Sequence, residues 1–70
     1  MAINIQHTYS TRVDIHYYSD EDGLVFIGCD CDNMDSIAER ICEVLVKHNF
    51  SFAEVYSVKT YELLMKIERS

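Results

Sequence analysis

The sequence predicts an α+β fold: a small ββαββ antiparallel sheet with one helix packed on one face. Three observations carry this. Residues 12 to 18, "RVDIHYY", alternate polar and apolar side chains, and "SDEDG" then separates them from a β-rich run, "LVFIGC". From Met34 the apolar spacing changes from two to 3.6 residues. After Asn49, "FSFAEVYSV" and "TYELLMKIE" return to strand-like composition.

In the first strand Val13, Ile15 and Tyr17 face one way, and Arg12, Asp14, His16 and Tyr18 the other. Gly23 supplies the positive φ that a hairpin loop needs, so the first two strands pair antiparallel. The second strand is apolar on both faces, with Gly28 as a bulge or close-approach point. Its expected orientation puts Val25, Ile27 and Cys29 toward the helix and leaves Leu24 and Phe26 on the uncovered face near Tyr18 and His16.

The helix is expected at about residues 34 to 48. Met34, Ile37, Ala38, Ile41, Val44 or Leu45, and His48 form its apolar face, and Glu39, Arg40, Glu43 and Lys47 lie mostly opposite. Asp32 or Asn33 can cap its first N–H groups, and Asp35 suits the positive end of the helix dipole. Glu43 and Lys47 form a favourable i,i+4 pair, and Asn49 is suited to a left-handed C-cap. In the last strand Tyr61, Leu63, Met65 and Ile67 are expected inward, with Glu62, Leu64, Lys66 and Glu68 outward. The join near Lys59 lacks glycine, asparagine and aspartate, so residues 51 to 68 read as two strands or as one long bent strand.

The 70 residues are expected to make one domain, with a core over 12–68 and residues 1–10 as an N-terminal arm or short edge strand. A chain of this size buries only roughly 60% of its extended surface, so a partner is useful to it. One helix cannot cover both sides of a sheet, and an apolar cluster on the open face is normally hidden by a partner. A homodimer through that face, with Tyr18, Leu24 and Phe26 as its anchors, is therefore expected.

Charge is unevenly placed. Net charge is −6, and between Arg12 and Arg40 lie eight acids with no Lys or Arg. Residues 40 to 70 balance four acids against five bases. Direct nucleic-acid binding is disfavoured, since phosphate affinity rests on clustered cations. No apolar run approaches the roughly 18 residues of a membrane span. No secretory signal is visible at the start, "MAINIQHTYS". With three cysteines and no signal, reduced thiols and a cytoplasmic location are expected, the host cytoplasm if the chain is viral.

The stretch "GCDCDNMD" concentrates cysteines and aspartates. A structural zinc site needs two or more residues between paired cysteines, and "CDC" has one. Cys29 and Cys31 are instead expected to be small buried hydrophobes around a strand end. Asp30, Asp32 and Asp35 do not make a calcium loop: counted from Asp30, a ligand position falls on Met34 and the bidentate glutamate position on Ile41. Cys31 lies near the helix start, which favours a thiolate, but the neighbouring aspartates oppose one. His16 reads as an outward strand residue, and His48 as a last-turn imidazole suited to the helix dipole. With no nucleophile elbow, phosphate loop or glycine-rich fingerprint, neither an enzyme nor a cofactor is expected.

The acids remain. Asp14, Asp20, Glu21, Asp22, Asp30, Asp32 and Asp35 are the candidate partner-binding residues. The hairpin separates its tip acids from Asp30 by roughly 25 Å, an interval suited to a basic groove that normally receives phosphates. The expected function is a small acidic protein-interaction module that regulates or inhibits a basic, nucleic-acid-handling partner protein. Its sharp form is a nucleic-acid mimic of the virus-encoded inhibitor type. The alternatives are a dimeric structural or regulatory subunit without mimicry, and a small metal-binding or redox module using Cys29, Cys31 and Cys42.

Overall fold

The computed structural model describes residues 11–69, in the order β1 (Thr11–Ser19), β2 (Gly23–Asp32), α1 (Met34–His48), β3 (Phe52–Ser57) and β4 (Leu63–Glu68). This is the expected ββαββ arrangement. The expectation of an arm or edge strand over residues 1–10 lies outside the described residues. The sheet order is β2-β1-β3-β4, with every neighbouring pair antiparallel. Among the described residues the alternating strand β1 is thus interior, and β2 and β4 are the two edges.

Alternation on β1 buries Val13, Ile15 and Tyr17. Ala53 and Val55 of β3 lie in register beside Tyr17 and Ile15 and are buried with them. Ile37, Ile41 and Leu45, spaced by four along α1, close the core from above. Fully burying each such aliphatic side chain contributes about 1.5–3 kcal/mol.

The helix has a signal at each end. Asn33 in extended conformation accepts the Ser36 N–H at 3.0 Å, so Asn33, not Asp32, is the N-cap. Asn49 sits at φ 58°, ψ 38°, and the N–H groups of Asn49 and Phe50 bond back to the carbonyls of Val46 and Leu45. That paired closure turns Phe50 onto the core, where it is partly buried.

Facing on β2 differs from expectation. The β1–β2 register pairs Tyr17 with Phe26 and Tyr18 with Leu24, so Val25 is an extra residue in a bulge. One extra residue inverts the alternation. Phe26, Gly28 and Asp30 lie across from Tyr17, Ile15 and Val13 on the helix side. Ile27, Cys29 and Cys31 lie across from His16, Asp14 and Arg12 on the open side. Gly28 is the close-approach point, since a Cβ there would come within 3.3 Å of the Phe26 ring.

A second bulge, at Leu64 between the pairs Val55–Met65 and Tyr56–Leu63, does the same to β4. Met65 and Ile67 pack against the core as expected, whereas Leu63 pairs with Tyr56 on the open side and is exposed. Tyr61 does not face the core either: it precedes β4 in a turn, at φ 62°, and is exposed. The Ser57 side chain makes that turn. Its hydroxyl accepts the N–H groups of Lys59 and Thr60, and its carbonyl accepts the Tyr61 N–H. Residues 51 to 68 are therefore two strands.

Candidate protein-interaction surface

The acid-rich half divides into three places. Asp20, Glu21 and Asp22 occupy the exposed tip of the β1–β2 hairpin, where the Ser19 hydroxyl accepts the Asp22 N–H at 2.9 Å. Among the described residues none of the three enters an ion pair. Asp14 lies half-buried on the open side, between Cys29 and Tyr56. Asp30 and Asp32 lie on the helix side of the β2 end, and Asp35 is exposed in the first helical turn.

Asp30 and Asp32 are not free. Arg40 donates from Nε to Asp30 at 2.9 Å and from a terminal nitrogen to Asp32 at 3.2 Å. The Cys31 N–H adds a bond to Asp30, and the Asn33 N–H one to Asp32. The Arg40 hydrogen bond is the main reason the Asp30 carboxyl is held below the usual aspartate range, against the opposing effect of burial. One cation thus meets two of the candidate acids, whereas at the hairpin tip Asp20 and Glu21 line a shallow hollow with Arg69 without an ion pair to it.

Directly after that tip comes apolar surface. Leu24, Val25, Phe26 and Ile27 are 46%, 39%, 54% and 53% exposed. Val25 and Phe26 contribute to a cavity of about 400 Å³ on the helix side, closed by Tyr17, Val44, His48 and Phe50. Tyr17 stands 5.8 Å from the Phe26 ring and 5.6 Å from the Phe50 ring, and His48 stacks on Phe50. Burial, with Asp30 nearby as the lesser cause, raises the Tyr17 pKa. Val25 lies on the helix side as expected, whereas the sequence pattern did not mark Phe50 for this groove. Phe50 follows the helix-closing Asn49, the position at which a left-handed closure turns the chain back onto the last helical turn, and that was the available signal.

The open side has a different character. Tyr18 and Phe52 stack at 4.6 Å, Lys66 lies 4.6 Å from the Phe52 ring centre, and His16 packs on Tyr56 at 4.8 Å. The Tyr56 hydroxyl donates to Glu54 at 2.8 Å, a bond that raises the Tyr56 pKa. Over β1 and β3 this side is half-buried by its own side chains. Of the three expected anchors, Tyr18 and Leu24 share the open side; Phe26 does not, because of the Val25 bulge.

Cys29, Cys31 and Cys42 are all exposed, which overturns the expectation that Cys29 and Cys31 are buried. Cys29 and Cys31 project from the open side of β2, whereas Cys42 is on the helix that covers the opposite side, so the fold does not bring the three thiols together. Among the described residues no three His, Cys, Asp or Glu side chains are placed to share a metal ion. No helix among them is long and apolar enough to cross a membrane. No family model matches the chain, and no curated protein or solved structure matches it.

Proposed function

We propose that the chain is a small acidic protein-interaction module that binds, and thereby regulates or inhibits, a partner protein with a basic surface. One observation carries the reading: the tip acids Asp20, Glu21 and Asp22, which enter no ion pair among the described residues, are followed after Gly23 by the exposed apolar run Leu24–Ile27. Long-range charge accelerates and orients an encounter, and desolvated aromatic and aliphatic anchors then hold it. The two requirements of a protein interface lie side by side on one hairpin. In its sharper form the partner's basic surface is a groove that otherwise receives nucleic-acid phosphates, with Asp14 and Asp35 extending the acidic contact beyond the tip.

The test is parallel capture from cell extract with the wild type and the triple variant Asp20→Asn, Glu21→Gln, Asp22→Asn, at low and high salt. Support is a protein retained by the wild type, lost at high salt and depleted on the variant. Identical retention by both proteins at both salt concentrations overturns the reading. A second reading, a dimeric structural or regulatory subunit, is favoured by the sheet edges: β2 is ten residues long and uncharged from Gly23 to Cys29, whereas β4 is six residues long and carries Lys66 and Glu68.

A further inference from the structure

We infer that β2, an edge strand among the described residues, is a self-pairing one: the occupant of its outer side is the β2 strand of a second copy, running antiparallel and joining two sheets into one. This goes beyond the interaction-module reading and rests on the second one, a dimeric subunit, for which it names the interface.

The two edges of the sheet are treated differently. Strand β4 is six residues long and carries Lys66 and Glu68, charges of the kind that keep an exposed edge from pairing with another chain. Strand β2 is ten residues long and has no charged residue from Gly23 to Cys29. Its Val25 bulge interrupts one end, but the ladder to β1 is regular from Phe26 to Asp32. An edge strand offers half of its backbone N–H and C=O groups to the outside. On β2 these groups lie between apolar side chains on both sides of the sheet, Phe26 on one and Ile27 on the other. A strand added in the plane of the sheet covers both at once; a partner laid on either face covers one.

Charge selects the orientation. Parallel pairing would set the two acidic tips, each with Asp20, Glu21 and Asp22, beside one another. Antiparallel pairing separates them by about the strand length, roughly 30 Å, several times the screening length near 8 Å at physiological salt. It also brings each tip toward the far end of the partner's β2. There Arg12 lies across from Cys31, and Arg40 already holds Asp30 and Asp32, so cations offset most of the acids, unlike at the tip. Two-fold antiparallel pairing is self-complementary, as a closed dimer requires.

Sedimentation velocity on the purified full chain, from roughly 1 to 500 μM, tests this beside Ile27→Lys and a matched control at the other edge, Leu63→Lys. The two sites are 53% and 51% exposed, so the substitutions are alike in their local cost. The expected result is a dimer for the wild type and Leu63→Lys, with association weakened about tenfold or more in Ile27→Lys. Amide hydrogen exchange on the wild type gives a reading independent of any variant's folding. A lone edge strand protects alternate amides, and a paired one protects consecutive amides from Phe26 to Asp32. A wild-type monomer throughout the range, alternating protection, or dimerisation unchanged by Ile27→Lys overturns the inference. A monomer that still captures a basic protein through its tip acids leaves the interaction-module reading standing while removing self-pairing.

Discussion

Arg40 on α1 holds Asp30 on β2 through a hydrogen-bonded ion pair at 2.9 Å, and the same guanidinium reaches Asp32 at 3.2 Å. In the linear sequence Arg40 marks where the acid-rich run stops. In the fold it turns back onto that run and ties the start of the helix to the end of the strand.

This pair carries a pH signature. Asp30 has a folded-state pKa below its unfolded value, chiefly because Arg40 bonds its ionised form. Its contribution to stability is therefore complete above the unfolded aspartate value, near 3.9, and is lost as pH falls through the lower folded value. Arg40→Gln should melt below the wild type at neutral pH, by a small margin because the pair is partly solvated. The gap should close once both proteins are acidified beyond that window. Thermal melts followed by circular dichroism, from roughly pH 2 to 7, make the comparison. A gap that stays constant over the whole range would show that Arg40 acts by packing and not by charge.

Ile41 is the central residue of the helix seam and is fully buried between Ile37 and Leu45. Ile41→Ala should cost about 2–5 kcal/mol through lost transfer energy and the cavity left behind. Ile41→Val should cost only about 0.5–1.5 kcal/mol. A domain this small has little reserve, and each kcal/mol lowers its melting temperature by roughly 4–8 °C. Urea titration of the two variants should therefore separate a folded Val protein from a largely unfolded Ala one. Similar midpoints for both would mean that the helix is not the lid of the core.

Much of this fold was legible in the residues because local and tertiary signals agree. Alternation named Val13, Ile15 and Tyr17, and the 3.6 period named Ile37, Ile41 and either Val44 or Leu45, of which Leu45 is the buried one. Asn49 announced the left-handed stop, and all of these are where the pattern puts them. The facing of β2 and β4 was not legible. A bulge changes the parity of every later residue, and a strand apolar on both faces, such as "LVFI", gives no pattern by which to detect one. The Ser57 turn was not legible for a related reason: a serine hydroxyl accepts the turn's N–H groups, and serine marks a turn less strongly than glycine, asparagine or aspartate. Of the candidate surface, the tip acids could be read directly. The pairing of Asp30 and Asp32 with Arg40 could not, because it depends on how the helix returns over the strand end.

Tyr61 sits at φ 62°, a conformation unfavourable for an aromatic residue with a Cβ, and its side chain is 77% exposed. Little packing is lost by replacing it, whereas the backbone cost of roughly 1–2 kcal/mol is relieved. Tyr61→Gly regains that cost less about 0.5–1 kcal/mol of extra unfolded-chain entropy, and Tyr61→Asn, which keeps a Cβ but tolerates this conformation better than an aromatic residue, regains part of it. Both should melt above the wild type, by up to a few degrees. Lower melting temperatures for both would show that the Tyr61 side chain stabilises the turn by more than its backbone strain costs.

The tip acids and the strand-end acids should differ in how they serve a basic partner. Asp20, Glu21 and Asp22 add three charges on an exposed turn, with no ion pair among the described residues to reduce them. Asp30 and Asp32 share one guanidinium, which leaves about one net charge at that end. Neutralising the tip triplet should therefore slow association and flatten its dependence on salt, with dissociation little changed. Neutralising Asp30 and Asp32 should affect association less and stability more, since it strips Arg40 of both partners. Stability must be measured alongside binding for that second variant, because it removes hydrogen bonds from the strand end and the residue before the cap. Once a partner is in hand, association rates at about 50 and 500 mM salt decide the matter. Equal rates for the wild type and the tip variant at both concentrations would remove the tip from the interaction and leave its three acids as solvated turn residues.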